Sequence, residues 1–506
     1  MIPSPQQFRR NKPSGRRARL PRRSVVRAVL GLLCVLVTGV AARAQNLEAH
    51  LRVVSLSPPR VSVEGRRDKA ATAWSFRTVY AGLLGLGARV EQLTLGDAQG
   101  APVVVRQLAP GEYEAARPAV SFRYELKLDP PAADNDAAHV SWLTPERGIL
   151  MPGDLLPLPA AGVKLRLSLP AGWQSVALAE QNADGGYELA QAESGVILVG
   201  PDLRRRQGRA GALSFTLASA GDWAFADEDA AHVVQEVLQE HEHATGTVPR
   251  KDALVMIAPF PRSVAPHVWS AAARGGTVLL LTGRAPSKNA ALAQLSMPLA
   301  HELFHLWVPN GLTLTGDYDW FFEGFTLYEA ARAGVRLGYL NFQNYLDGLA
   351  RAFDRSRSAD AVGSLSLLDA SRRRWSDPAA AVYDRGMLAA YLYDLSVRRQ
   401  TGGKRSIDDV YRALFRQRRT PAIAHDGNEV VLEALDTVAG GPALTEHYVK
   451  GSVQVDLAAA IEPFGLQVAS EGARTRVFVA PQLSRAQREL LRQIGYNETA
   501  GRGHAR

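Results

Sequence analysis

Residues 299–329 read LAHELFHLWVPNGLTLTGDYDWFFEGFTLYE and hold the densest chemistry in the chain. His301 and His305 stand four apart in His301-Glu302-Leu303-Phe304-His305. On a helix that spacing stacks two imidazoles over one point, as a tetrahedral zinc site requires. Glu302 lies beside them and could take a proton from the attacking water. Glu323 follows eighteen positions after His305, inside Trp320-Phe321-Phe322-Glu323-Gly324. A carboxylate on a second helix completes a two-histidine, one-glutamate set with one position left open. The pattern predicts one zinc ion per chain and hydrolysis as its use.

The elements that must carry these residues show in the periodicity. Leu292, Leu295, Leu299, Leu303 and Leu306 keep a helical stripe through the motif, with Pro298 inside it. Pro298 either kinks that helix or starts a new one, and both choices leave the motif helical. Two short apolar runs before it, 254–257 and 277–282, read as strands. Ahead of them, Asp227-Glu228-Asp229 opens a helical pattern ending near His241 and His243, which read as solvated. Beyond Glu323 the chain stays helical. Residues 385–397 keep one apolar stripe, and Ser406 with Asp409 reads as a capped helix start. One further helical pattern lies around 484–494, before a polar Gly/Arg end expected to be partly disordered.

Upstream, residues 45–222 read as β. Val61-Ser62-Val63 and the runs 120–128 and 163–169 alternate apolar with polar, and Pro, Gly and Asp clusters separate them. That suggests a β-sandwich-like domain. Gly82, Gly85 and Gly87 read as turn residues, and Arg204-Arg205-Arg206 as a solvated loop. The fold class expected is multidomain α+β: a β-rich domain over 45–222, a zinc-binding α/β domain over 223–355, a helical domain over 356–466 and a tail over 467–506.

The formal charge of +9 is a property of the first 44 residues, which hold ten of the 59 Lys and Arg and no acid. The rest carries 49 basic against 50 acidic residues, so the pI gives no reason to expect nucleic acid as a partner. Residues 9–27 are basic, 28–40 apolar but short for a bilayer, and Ala42-Arg43-Ala44 is a small-x-small cleavage pattern. Residues 1–44 therefore read as a signal peptide, Sec or loosely twin-arginine. A periplasmic or secreted mature chain with no membrane insertion is expected. Cys34, the single cysteine, lies in that leader, so metal ligands in the mature chain must be His and carboxylate.

With these residues in view, the chain resembles the gluzincin metallopeptidases. It looks most like the glycyl aminopeptidase family, and less like the aminopeptidase N and leukotriene A4 hydrolase group. HELFHLW at 301–307, WFFEGFTLYEAARAG at 320–334 and VYDRGMLAAYLYDLSVRRQTGGKRSIDDVYRAL at 382–414 carry the likeness, with YVKG at 448–451. It spans about 73–466. The resemblance implies a thermolysin-like zinc domain, His301, His305 and Glu323 as ligands, Glu302 as general base, and a peptide or protein substrate. It also implies that Tyr383, in Tyr383-Asp384-Arg385-Gly386, donates to the oxyanion. Read from the residues alone, a core tyrosine is the favoured reading of Tyr383, and the resemblance reverses it. Two departures stand out. The family's Gly-rich substrate strand ends in a Glu that binds the free amino group. Gly275-Gly276-Thr277-Val278 looks like its counterpart, with Gly275 and Gly276 as substrate-binding residues and the strand at 278–281 as a pairing edge, yet it has no acid. The usual PDZ domain has no room after Leu466. The reading is an exported zinc metallopeptidase, aminopeptidase-like. The alternative is an exported peptide-binding protein on the same scaffold.

Overall fold

Alternation of buried and exposed residues builds the first half of the molecule. In Leu47–Leu56, Leu47, Ala49 and Leu51 are buried while Glu48 and Arg52 face out, as a strand covered on one side requires. The computed structural model describes residues 46–358, 365–374, 381–417, 425–452, 455–472 and 474–497. The expected signal peptide and the polar end of the chain lie outside them.

Eight strands form the first sheet, in the order Gly186–Leu189, Val163–Ser168, Leu47–Leu56, Pro59–Ser75, Glu112–Lys127, Val90–Gly96 and Pro102–Val103, with Val105–Ala109 also on Glu112–Lys127. Only Leu47–Leu56 and Val163–Ser168 run parallel. A small sheet, Gln174–Val176, Ile197–Gly200, Gly148–Leu150 and Trp142–Leu143, lies against it. Leu143, Leu150, Ile197 and Val199 join the first sheet's core. Trp142, Ile149 and Leu198 face the other way and pack on Leu254, Met256, Leu279 and Leu281. Strands covered on both faces carry no polar alternation, and Ile197-Leu198-Val199 has none.

A five-stranded sheet follows, ordered Arg204–Ala210, Leu213–Ser219, Asp252–Pro259, Thr277–Thr282 and Trp269–Arg274. It reaches back to Arg204, upstream of the boundary expected at 222. Arg204, Arg205 and Arg206 therefore lie in a strand, not a loop. Arg204 pairs with Asp227 at 2.8 Å and Arg206 with Glu228, at the start of the helix Asp227–Thr245. Phe215, Leu217, Val255, Ile257, Val278 and Leu280 turn the sheet's other face onto the helices.

Those helices are Asp227–Thr245, Lys288–Phe304, Thr326–Arg336, Phe342–Ser358, Gly386–Gln400, Ile407–Gln417 and Gly427–Ala439. One apolar core runs from the five-stranded sheet through all of them. The helix Phe342–Ser358 passes through the boundary expected at 355. Among them Arg332, 3% exposed, is held by Glu329 and Asp408 at 2.6 Å each. The Ser406 start is observed, with the Ser406 amide donating to Asp409 at 2.9 Å. After Phe464 a hairpin, Leu466–Glu471 with Arg474–Val479, precedes the last helix, Arg485–Gln493, which falls within the helical pattern expected at 484–494 and is capped by Ser484. The architecture is mixed α+β. Among the described residues no helix is long and apolar enough to cross a membrane.

Candidate metal centre and its cavity

The motif sits at the end of a helix that begins at a serine cap. Ser287 Oγ accepts from the Ala290 amide, and Lys288–Phe304 then runs through Pro298 without ending. Leu295, Leu299, Leu303 and Phe304 anchor its inner face in the core. His301 and Glu302 lie in its last turn, and His305 is its cap residue, still in the right-handed helical region. Residues 305–312 leave as turns, and Asp319 then opens a π-helical turn, Trp320–Phe325, continuous with the helix Thr326–Arg336. Such wide turns recur at functional sites because they re-aim one side chain without ending the helix. Here the turn carries Glu323. Its Trp320 is buried, with the indole N–H donating to Asn428 at 2.8 Å.

The three expected ligands meet. Nε2 of His301 and Nε2 of His305 are 3.1 Å apart, and Glu323 Oε2 is 3.5 Å from each. A tetrahedron with bonds near 2.0–2.1 Å has edges of roughly 3.3 Å, so the triangle has the size a zinc ion needs. The donor chemistry agrees, since three lone pairs converge on one point. His305 Nδ1 donates to the Val308 carbonyl at 2.8 Å, which fixes its tautomer and leaves Nε2 as the free donor atom. His301 Nδ1 is buried with no hydrogen-bond partner among the described residues.

The electrostatics point the same way. Burial alone would push the His305 imidazole down, but the hydrogen bond and charge of Glu323, with Glu302, hold it up to about 9. Burial opposes ionisation of Glu323, yet its two histidine contacts hold it well below the ordinary carboxylate range. Positive charge is thus strongly favoured at this point. Glu302 is buried too, and burial raises its pKa, so it binds a proton more readily than a free glutamate.

Tyr383 lies on a second π-helical turn, Ala381–Arg385, leading into the helix Gly386–Gln400. The turn carrying Glu323 meets the first residue of that helix glycine on glycine: a Cβ on Gly324 would lie 2.4 Å from Gly386 Cα, and one on Gly386 2.6 Å from the Trp320 carbonyl. This approach brings Tyr383 to the metal site. Arg374, which the sequence reading did not single out, ties them together. Its guanidinium donates to Glu323 Oε1 at 2.8 Å, to the Tyr383 hydroxyl at 2.7 Å, and to Asp319. Burial raises the Tyr383 pKa, as does the charge of Glu323, so its phenol stays protonated.

These groups line a cavity of about 870 Å³. Its opposite wall is Trp269, Ala271, Ala272 and Ala273, with Tyr80, Ala81 and His139 from the first half of the chain. Burial, with the nearby Arg274 charge, lowers the His139 pKa to about 4, so it is a neutral imidazole near pH 7. The expected substrate strand needs correction. Thr277–Thr282 is paired on both sides, with Asp252–Pro259 and Trp269–Arg274, so it has no free edge. The edge strand is Trp269–Arg274. Gly275 and Gly276 form the tight turn between the two strands and do not line the cavity; Gly275 is there because φ is +56°. His241 is also corrected. It is fully buried and not solvated, with Nε2 on the Ala300 carbonyl at 2.9 Å and its ring edge-on to Phe304 and Trp307.

No family model and no curated protein matches the sequence. Solved structures do match the fold. An aminopeptidase N family protein from Idiomarina loihiensis superposes with a TM-score of 0.72 at 16% identity, over 84% of this chain and 79% of that one. An M1 zinc metallopeptidase from Deinococcus radiodurans gives 0.53 at 16% identity, over 82% and 96%. A mutant of the latter bound to a Tyr-Ser-Ala substrate gives 0.50 at 17% identity, over 82% and 96%. The first carries the name of the aminopeptidase N group, which the sequence resembles less than the glycyl aminopeptidases. The chain has the fold of the M1 zinc metallopeptidases, with a histidine, histidine and glutamate triad of zinc-binding size at its cavity wall.

Proposed function

We propose that the protein is a zinc-dependent peptidase, exported through the leader at residues 1–44. One observation carries the hydrolase reading: His301, His305 and Glu323 converge within 4.8 Å of one another, on a cavity also lined by Glu302 and Tyr383. Zinc held by this triad would supply Lewis acidity and bring the pKa of the attacking water toward neutrality. Glu302 accepts the water's proton and returns it to the leaving amine, a task suited to a carboxylate whose pKa burial raises. Tyr383 keeps its proton and donates it as a hydrogen bond to the oxygen on which negative charge develops. The peptide lies along the edge strand Trp269–Arg274, whose backbone supplies pairing without regard to side-chain sequence. That the Deinococcus protein was solved with a tripeptide substrate supports a peptide as the ligand. Among the described residues, the only carboxylates lining the cavity are Glu302 and Glu323.

The test is Glu302→Gln, measured on free-amino and N-acetylated peptides. It should keep zinc and peptide binding and lose turnover by about 100-fold or more. Undiminished turnover in a preparation free of other proteases removes Glu302 from the reaction. Wild-type peptide binding without cleavage in zinc-replete protein replaces the peptidase by a binding protein. Cleavage of free-amino peptides alone makes it an aminopeptidase, and cleavage of both kinds an endopeptidase. Recovery of a chain starting near Gln45 outside the cytoplasm tests export.

A further inference from the structure

Arg374 comes from a different part of the chain than the metal ligands and follows a helix docked on the turn that carries Glu323. The short helix Leu367–Arg372 is capped by Ser366, whose Oγ accepts from the Asp369 amide. Ser371 Oγ accepts from the Trp320 amide at 2.8 Å, which docks this helix on the start of the turn that carries Glu323. Arg374 follows two residues later. Its guanidinium lies 5.8 Å from the ring centre of Phe322 and 5.4 Å from that of Tyr383, and its side chain is 13% exposed.

Its hydrogen bonds divide the site. Glu323 has two oxygens: Oε2 faces both imidazoles at 3.5 Å, and Oε1 accepts from Arg374 at 2.8 Å. The same Arg374 nitrogen donates to the Tyr383 oxygen at 2.7 Å. A carboxylate oxygen that accepts a charge-assisted hydrogen bond is the poorer metal donor of the two, which leaves Oε2 as the oxygen turned to the metal. A phenol that accepts a charge-assisted bond keeps its own proton to give and becomes a stronger donor. Asp319 holds the other end of the guanidinium and offsets its charge. Two nitrogens of the planar fork share this task, one on Asp319 and the other on Glu323 and Tyr383, a spread that the single nitrogen of an ammonium lacks.

From this geometry we infer that Arg374 is a positioning residue of the reaction: it holds Glu323 as a one-oxygen ligand and aims the Tyr383 hydroxyl at the reacting carbonyl. The inference rests on the peptidase reading for its second half only, since the hold on Glu323 concerns metal binding itself.

The experiment compares wild type with Arg374→Ala, Arg374→Lys and Tyr383→Phe. The readouts are zinc affinity by chelator competition, the visible spectrum of the cobalt-substituted protein, and kcat and KM on a peptide. Arg374→Ala should weaken zinc about 10- to 100-fold, the usual cost of losing a group that orients a ligand. It should change the cobalt spectrum as Glu323 is released, and lower kcat about 100-fold with KM within about threefold. Tyr383→Phe should lower kcat while leaving zinc affinity and spectrum as in wild type. The double variant should lose little more kcat than the worse single one, because the two residues act as a unit. Added guanidinium ion should restore part of the Arg374→Ala loss, and methylammonium should not. Arg374→Lys keeps the charge and serves if the alanine variant does not fold; it should show the same zinc and spectral changes. Wild-type zinc affinity and spectrum in both Arg374 variants would overturn the inference, as would strictly additive kcat losses. A wild-type protein that binds zinc but cleaves nothing defeats the peptidase reading, while the zinc and spectral arms still decide the hold on Glu323.

Discussion

Substituting Gly324 by alanine tests whether its contact with Gly386, just past the turn that carries Tyr383, sets the site. The added methyl would sit 2.4 Å from Gly386 Cα and 2.6 Å from the Gly386 carbonyl carbon, against 3.4 Å or more for ordinary contact. Backbone, not a flexible side-chain end, meets the methyl, so the two segments must part by roughly 1 Å. Overpacking of this kind costs about 1–3 kcal/mol. Its functional cost should be larger in proportion. Glu323 precedes Gly324 by one residue and Tyr383 precedes Gly386 by three, so parting the segments separates a ligand from the oxyanion donor. A misplacement near 1 Å can cost about 100-fold in rate. Thermal melting, zinc titration and kcat/KM should all be measured. Gly348→Ala is the control for melting and zinc titration only, since Gly348 lines the cavity: its nearest foreign atom is 3.9 Å away and it lies within a helix, so the fold should be unchanged or slightly stabilised. A Gly324→Ala protein that melts, binds zinc and turns over like wild type would refute the reasoning. Zinc loss without a change in melting would locate the fault in Glu323 alone.

Two further outcomes follow from the buried charges. Zinc in thousand-fold excess over its Kd should stabilise the fold by about 4 kcal/mol, and chelation should reverse the shift; Glu323→Ala should abolish it, and a zinc-independent melting curve in wild type would reject the ligand assignment. The second concerns Glu240, Glu329 and Asp408, three carboxylates around the two guanidiniums of Arg332 and Arg336, so that one acid is in excess. Burial and the Asp408 charge push Glu329 from 4.5 up to about 7, despite Arg332. Its folded pKa is above its unfolded value, so this group's stabilising contribution is full below pH 4.5 and is lost as pH rises through about 7. Asp408→Asn removes a like charge and should flatten that decline. An unchanged slope of melting temperature against pH between these values would dismiss the cluster as its source.

What the sequence made legible is what local spacing controls. Four residues on one helix must bring His301 and His305 together, whatever surrounds them. Capping chemistry is equally local, and the starts at Ser406 and Ser484 are where the side chains place them. Alternation gave the long outer strands for the same reason. Strand order is not local. Thr277–Thr282 is apolar enough to be a strand, but local sequence does not say that it pairs past Trp269–Arg274 with Asp252–Pro259 as well, which flanks it on both sides and leaves Trp269–Arg274 at the edge. The glycines at 275 and 276 were therefore credited to a binding strand when they serve its turn. His241 failed for a related reason. Position at a helix end suggests water, but the helix packs that end under Phe304 and Trp307.

Arg374 shows where the limit lies. In sequence it is the third of three arginines, Arg372-Arg373-Arg374, a run that ordinarily marks a wetted face. Arg372 behaves so, its side chain 62% exposed and paired with Asp369 in its own helix. Two residues on, the chain has left that helix, and the next guanidinium but one is buried against a metal ligand. Charge type and run length are the same for both; only the turn after residue 372 separates them. A site whose ligands come from one stretch can be read from spacing, whereas its orienting groups come from separate segments, Tyr383 brought in where Gly324 meets Gly386 and Arg374 where Ser371 meets Trp320. The consequence is that substitutions at those glycines should act on Glu323, Tyr383 and Arg374 together, while changes on the motif helix should act on one ligand at a time.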